Sequence, residues 1–116
     1  MGLRVLVVDD DEMVLRSLRR ILERAGHEVI ARTTVCEARA VMMEQQLDVV
    51  LCDYHLDDGT GADVASDLAR VSSAVQMVLL TGDRVSVNGL VVLEKPVRAN
   101  ELLAALHGPA LTSRGT

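Results

Sequence analysis

The chain of 116 residues has no tryptophan, no phenylalanine and a single tyrosine, Tyr54. Any core must therefore be packed from Leu, Val, Ile, Ala and Met. Apolar residues still make up 49% of the sequence, enough for one globular domain with a buried core. Cysteine is scarce: Cys36 and Cys52 show no metal-ligand spacing and fit inert thiols in a reducing compartment. Basic charge is also in short supply, with 12 Lys and Arg against 17 Asp and Glu and a net charge of −5. That balance argues against a nucleic-acid-binding module, whose footprint is a basic patch. No apolar run approaches a membrane span, and no basic flank followed by a long apolar region opens the chain. Met1-Gly2 resembles the start of a myristoylation signal, but Leu6 stands where that signal needs Ser or Thr. The expectation is a cytoplasmic domain without nucleic-acid or membrane contact.

What the sequence does have is a set of short apolar runs that end on polar residues. Val49-Val50-Leu51-Cys52, bounded by Asp48 and Asp53, is too short for a helix, is β-branched at its start and is followed by the turn signal Asp57-Asp58-Gly59. Val5 to Val8 runs into Asp9 and Asp10, Met77 to Leu80 into Thr81, and Val91 to Leu93 stops shortly before Lys95. A further strand over 27–32 is shorter and more polar at its ends, as an edge position permits.

Helical patterns alternate with these strands. From Glu12 onward Val14, Leu18, Ile21, Leu22 and Ala25 recur at helical spacing, and Gly26 supplies the stop. Thr34 and Glu37 form a capping-box pattern ahead of a helix from Val35 to about Gln45, with Ala38, Val41 and Met42 inward. A third helix opens at Gly61 and runs to about Arg70, with Val64, Ala65, Leu68 and Ala69 inward. A last one from about Arg98 to His107 buries Leu102, Leu103 and Leu106. Strands alternating with helices predict an α/β fold, a doubly wound parallel sheet covered on both faces. Ligands of such sheets bind beyond the carboxyl ends of the strands, where Asp9, Asp10, Asp53, Thr81 and Lys95 would all lie.

Taken singly, each of these five residues has an ordinary structural role as a cap, a turn former or a solvated charge. Together they make a chemical site. Carboxylates crowded at one edge repel each other by about 4 kcal/mol per pair at about 4 Å and an effective dielectric of about 20. An oxygen-only donor set favours Mg²⁺. Three Asp, one Lys and one Mg²⁺ sum to zero charge, and a carboxylate held in line could take up a phosphoryl group.

The ordered set Val7-Val8-Asp9-Asp10, Leu51-Cys52-Asp53 with Gly59 and Gly61, Leu80-Thr81-Gly82, and Lys95-Pro96 resembles the receiver domain of two-component response regulators. The resemblance covers Leu3 to His107 and implies a flavodoxin-like five-stranded sheet of order 2-1-3-4-5 in a domain 1–107, with 108–116 as a tail. It implies that Asp53 accepts a phosphoryl group from a phosphohistidine of a histidine kinase or histidine phosphotransfer protein. It further implies Mg²⁺, with Mn²⁺ as an alternative ion, bound by Asp10 directly, by Asp9 largely through water, by Asp53 and by the backbone carbonyl of His55. Thr81 and Lys95 would hold phosphoryl oxygens, and the Lys95-Pro96 bond would be cis. Gly82 belongs to the motif beside Thr81 as a modulating position.

Several departures from the pattern carry their own expectations. Thr81 and Lys95 are only 95 − 81 = 14 residues apart, so after a fifth strand over Leu90 to Glu94 only Gly82 to Gly89 remain for a fourth helix. Val85-Ser86-Val87-Asn88-Gly89 has poor helix propensity, and the fourth helix is expected to be missing or reduced to a turn. Val92 stands where receivers commonly carry a switch aromatic. Asp57 replaces a common proline and adds a carboxylate, and the His55 imidazole could modulate phosphoryl hydrolysis or merely project into solvent. His27 and His107 are expected at the surface. The arginines of the first helix read as a solvated face or as a contact for an acidic phosphotransfer partner. The shortened form resembles receivers at the ends of hybrid sensor histidine kinases.

The leading function is a phosphoacceptor domain that catalyses its own phosphorylation and dephosphorylation, with no separate substrate turnover. Two alternatives from other classes are an interaction module that is not phosphorylated, and a Mg²⁺-dependent phosphatase with an aspartyl intermediate. The first would be expected to lack Asp53 or Lys95. The second would carry an acid where His55 stands.

Overall fold

The computed structural model describes residues 2–71, 74–82 and 90–107. The apolar runs form five strands: β1 (Arg4–Val8), β2 (Glu28–Arg32), β3 (Val49–Asp53), β4 (Gln76–Thr81) and β5 (Val91–Glu94). They pair in parallel in the order β2-β1-β3-β4-β5, the expected 2-1-3-4-5. The central strands β3 and β4 are buried at every residue, while at the edges β2 buries only Val29 and exposes both ends, and β5 is half-buried up to the exposed Glu94. Near-continuous hydrophobic runs suit central strands covered on both faces.

Side chains alternate along each strand and so feed two cores. Leu6, Val8, Val50, Cys52, Met77 and Leu79 face one side. There they meet α2 (Val35–Glu44) and α3 (Gly61–Val71), through residues such as Ala38, Val41, Val64 and Leu68. Val5, Val7, Val49, Leu51, Val78 and Leu80 face the other side. Their partners come from α1 (Glu12–Arg24) and α4 (Ala99–Ala105), with Leu15, Leu18, Leu22 and Leu102 among them. No helix among the described residues is long and apolar enough to cross a membrane.

Three details differ from the burial expected from the sequence. Leu15 is buried on α1 while Ala25 is exposed, because Ala25 is already the C-cap and the chain turns away there. The turn is a Schellman motif: Gly26 N–H donates to the Glu23 carbonyl, His27 N–H to that of Leu22, and Gly26 takes the left-handed φ of 93°. On α3, Ala69 is exposed, one position round from the buried Leu68. His27 is half-buried rather than superficial, and its Nδ1 accepts the Leu3 N–H at 3.0 Å. His107 is exposed as expected.

The described residues contain four helices. Gly82 is an exposed bend; the remainder of the predicted reduced helix, 83–89, and the predicted tail, 108–116, lie outside the described residues.

α2 and α3 are tied at the surface by Asp67, which accepts from Arg39 Nε across the helices and from Arg70 Nη2 at 2.8 Å within α3. The Arg39 hydrogen bond, with Arg70 adding to it and partial burial opposing, holds the Asp67 carboxyl below its ordinary range. The lowered value has a definite sign: the tie stabilises fully above the unfolded-state value near ~4 and is lost as pH falls through the folded-state value. Thermal melts taken across the acid range should therefore show a steeper fall in the parent chain than in Asp67→Asn. The two curves should converge once Asp67 is protonated.

Candidate functional site

The carboxyl ends of β1, β3, β4 and β5 meet at one edge. Asp9 follows β1 and continues its ladder, its N–H donating to the Arg32 carbonyl at 3.1 Å, so the side chain is delivered fully buried. Asp53 is the last residue of β3 and only 7% exposed; Thr81 ends β4 and is buried. Lys95 follows β5, and its N–H donates to the Thr81 carbonyl at 2.7 Å, continuing the β4–β5 pairing. Asp10 is exposed at the rim. All five residues predicted to form the site's polar group thus lie at adjacent strand ends.

Lys95 Nζ is 2.7 Å from Asp9 Oδ2 and 3.2 Å from Asp53 Oδ2. Burial draws the ammonium's pKa down, but the hydrogen bond to Asp9 and the charges of Asp9 and Asp53 outweigh it and hold it above the ordinary lysine range. The other Asp9 oxygen, Oδ1, accepts the Asp11 N–H at 2.9 Å. Asp53 Oδ1 accepts the His55 N–H at 3.4 Å, a long bond. Carboxylate oxygens of Asp9, Asp10 and Asp53 lie within 4.8 Å of one another. Hard oxygen donors at that spacing suit Mg²⁺, which keeps several waters and needs few protein ligands.

The flanking positions divide. The His55 side chain is exposed, its ring edge-on to Tyr54 at 4.9 Å, and Asp57 is exposed at the loop tip. Gly82 is exposed, and a Cβ there would meet nothing within 4 Å, so crowding does not require a glycine. Gly61 is different: a Cβ would lie 2.6 Å from Leu79 Cδ2 and 2.8 Å from the Asp53 carbonyl. The start of α3 can approach the end of β3 only because no side chain intervenes. Val92, in place of an aromatic, is a half-buried residue packed on the α2–α3 core. Burial raises the Cys52 thiol, with the Asp53 and Asp9 carboxylates adding to it, which keeps it neutral and inert as expected. The Lys95-Pro96 peptide is cis.

Two features were not read from the sequence. Lys95 sits closer to Asp9 than to Asp53, and Asp58 reaches α2, accepting from Val35 N–H at 2.8 Å and Cys36 N–H at 3.1 Å. The Asp57-Asp58-Gly59 turn signal locates Asp58 in a loop but does not identify its partner.

The family model for the response regulator receiver domain matches residues 5–107. The chain belongs to this family. Receivers are the phosphoacceptor domains of two-component systems, interact in general with histidine kinases or phosphotransfer proteins, and generally bind Mg²⁺ at an acidic pocket. This receiver is 35% identical over 117 residues to the photosynthetic apparatus regulatory protein RegA of Rhodovulum sulfidophilum, covering 92% of this chain. It spans 64% of RegA's length. Among solved structures it is similar to a response regulator protein from Burkholderia pseudomallei with a phosphorylated aspartic acid, calcium ion and citrate. The TM-score is 0.81 at 27% identity, covering 90% of this chain and 66% of that one. It is similar in fold to the receiver domain from the hybrid histidine kinase CckA, with a TM-score of 0.78 at 21% identity, covering 87% of this chain and 93% of that one.

Proposed function

We propose that Asp53 is the phosphoacceptor of this receiver and that the domain catalyses Mg²⁺-dependent transfer from a phosphohistidine of a histidine kinase or phosphotransfer protein. The carrying observation is the Lys95 ammonium set between two buried carboxylates, 2.7 Å from Asp9 and 3.2 Å from Asp53. In the proposed transfer an Asp53 carboxylate oxygen forms the bond to phosphorus as the phosphorus–nitrogen bond breaks, and the imidazole leaves with the electron pair. Lys95 turns from the carboxylates to an equatorial phosphoryl oxygen, and the Thr81 hydroxyl donates to a second. Asp9, Asp10, Asp53 and the His55 carbonyl would hold Mg²⁺, which when bound offsets the charge of the carboxylates and phosphoryl oxygens together; Mn²⁺ would serve the same donors. The reaction is confined to the domain's own aspartate and its later hydrolysis. The likeness to RegA and CckA, and the 64% span, support the further reading that residues 1–107 act as the cytoplasmic receiver unit of a larger signalling protein.

Incubation with acetyl phosphate and Mg²⁺, followed by intact-protein mass, should show one added phosphoryl group, absent when EDTA replaces the metal. No adduct together with no binding of beryllofluoride in Mg²⁺ would overturn the proposal in favour of an unphosphorylated interaction module.

A further inference from the structure

The loop that follows Asp53 is anchored to a helix on which no site residue lies. The first amides of a helix have no partner within it. In the first turn of α2, Val35 N–H and Cys36 N–H donate to the two oxygens of Asp58 and Glu37 N–H donates to Thr34 Oγ1 at 3.1 Å, and the bonds within the helix begin with Ala38 N–H to the Thr34 carbonyl. Thr34 is the local cap. Asp58 arrives from the loop between β3 and α3, and its carboxylate also meets the positive end of the α2 dipole. The amides of Val35 and then Cys36 hold its carboxyl below the ordinary range.

That loop is also fixed where it enters α3, Thr60 N–H donating to Asp63 Oδ2 at 3.0 Å and Asp63 N–H to Thr60 Oγ1 at 3.2 Å. At its base, Tyr54 N–H donates to the Leu80 carbonyl and Gly61 N–H to that of Tyr54, both at 2.8 Å. Between them His55 pairs with Thr60 and Leu56 with Gly59 in an antiparallel ribbon of two residues per strand, too short to stand alone. Leu56 packs into the α2–α3 core, and Asp58 ties the tip to α2, itself anchored by buried Val35 and Ala38. His55, in the first strand of the ribbon, has its N–H 3.4 Å from Asp53 Oδ1.

We propose that Asp58 is a positioning residue for the metal site: by tying the ribbon's tip to the start of α2, it fixes the His55 backbone beside Asp53, and with it the carbonyl assigned above as a Mg²⁺ ligand. The inference rests on that proposed site. It makes the amide end of α2 part of what sets metal affinity.

The test is a Mg²⁺ titration followed by the backbone amide resonances of Asp53, Tyr54 and Lys95, in the parent chain, Asp58→Ala, Asp58→Asn and Thr34→Ala. Removing a supporting partner of a metal ligand typically weakens binding by about tenfold or more, the loss expected for Asp58→Ala. Asp58→Asn, which keeps one acceptor oxygen, should fall between that variant and the parent. Thr34→Ala removes the local cap and destabilises α2, yet should leave Mg²⁺ affinity unchanged. Parent-like affinity in Asp58→Ala, or an equal loss in Thr34→Ala, overturns the inference. If Asp58→Ala does not fold, Asp58→Asn decides: parent-like affinity there overturns it. A parent chain that binds no Mg²⁺ overturns the metal site itself and this inference with it, an outcome distinct from the other three.

Discussion

The Asp53→Asn variant is expected to keep the fold and take up no phosphoryl group from acetyl phosphate. The amide is nearly isosteric with the carboxylate, so it fits the same nearly enclosed position at the end of β3. It lacks the anionic oxygen that, in the proposed transfer, attacks phosphorus. Its effect on stability is the balance of two opposing changes. Asp53 shares a cluster with Asp9 and Asp10, and losing one charge relieves repulsion of about 4 kcal/mol per pair at about 4 Å and an effective dielectric of about 20. Against this, the 3.2 Å ion pair with Lys95 is lost. Intact mass and a thermal melt on the same sample separate chemistry from folding: the adduct disappears while the melting temperature stays near that of the parent. An adduct that survives would place the acceptor elsewhere.

Lys95→Met should slow phosphorylation by about 10²- to 10³-fold, the usual consequence of removing a fixed donor aimed at charge developing in a transition state. Met approximates the length and stem of lysine and removes only the charge and its donors. The same substitution takes a cation away from Asp9 and Asp53, so Mg²⁺ should bind more tightly even as transfer slows. These opposite directions are the useful part of the prediction, because a general loosening of the site would weaken both. Single-turnover phosphorylation by acetyl phosphate and a Mg²⁺ titration supply the two readings. Lys95→Arg is not expected to rescue the rate, since a planar guanidinium cannot replace a compact ammonium between Asp9 and Asp53.

The sheet and the five-residue cluster were legible because the relevant signals are local. Four of the five strands are short apolar runs that end on or just before a residue of the cluster, and the alternation of helix and strand along most of the chain then leaves little freedom in topology. Features that depend on distant residues were not legible. The ring nitrogen of His27 is engaged by the Leu3 amide, and Asp58 caps a helix that begins 23 residues earlier in the chain, since 58 − 35 = 23. Neither partner leaves a mark near the residue itself. Helix faces were read to within one position: Ala25 and Ala69 satisfy the spacing but sit at a helix end and on the outer rim, while Leu15, off the assumed stripe, is buried. Alanine is a weak marker of burial because it contributes little area to either side. The order of Lys95's two contacts depends on side-chain placement across the strand ends, which no spacing encodes.

The backbone of Tyr54 is bonded on both sides, its N–H to the β4 strand and its carbonyl to the first amide of α3, and its ring stands against His55. It is also the only aromatic residue among Phe, Trp and Tyr in the chain. Intrinsic ultraviolet emission from this protein therefore has a single source, one residue from Asp53, with no tryptophan to drain it by energy transfer. The molecule carries its own optical probe beside the proposed acceptor, and ion binding or acylphosphate formation there is expected to change its emission without a label.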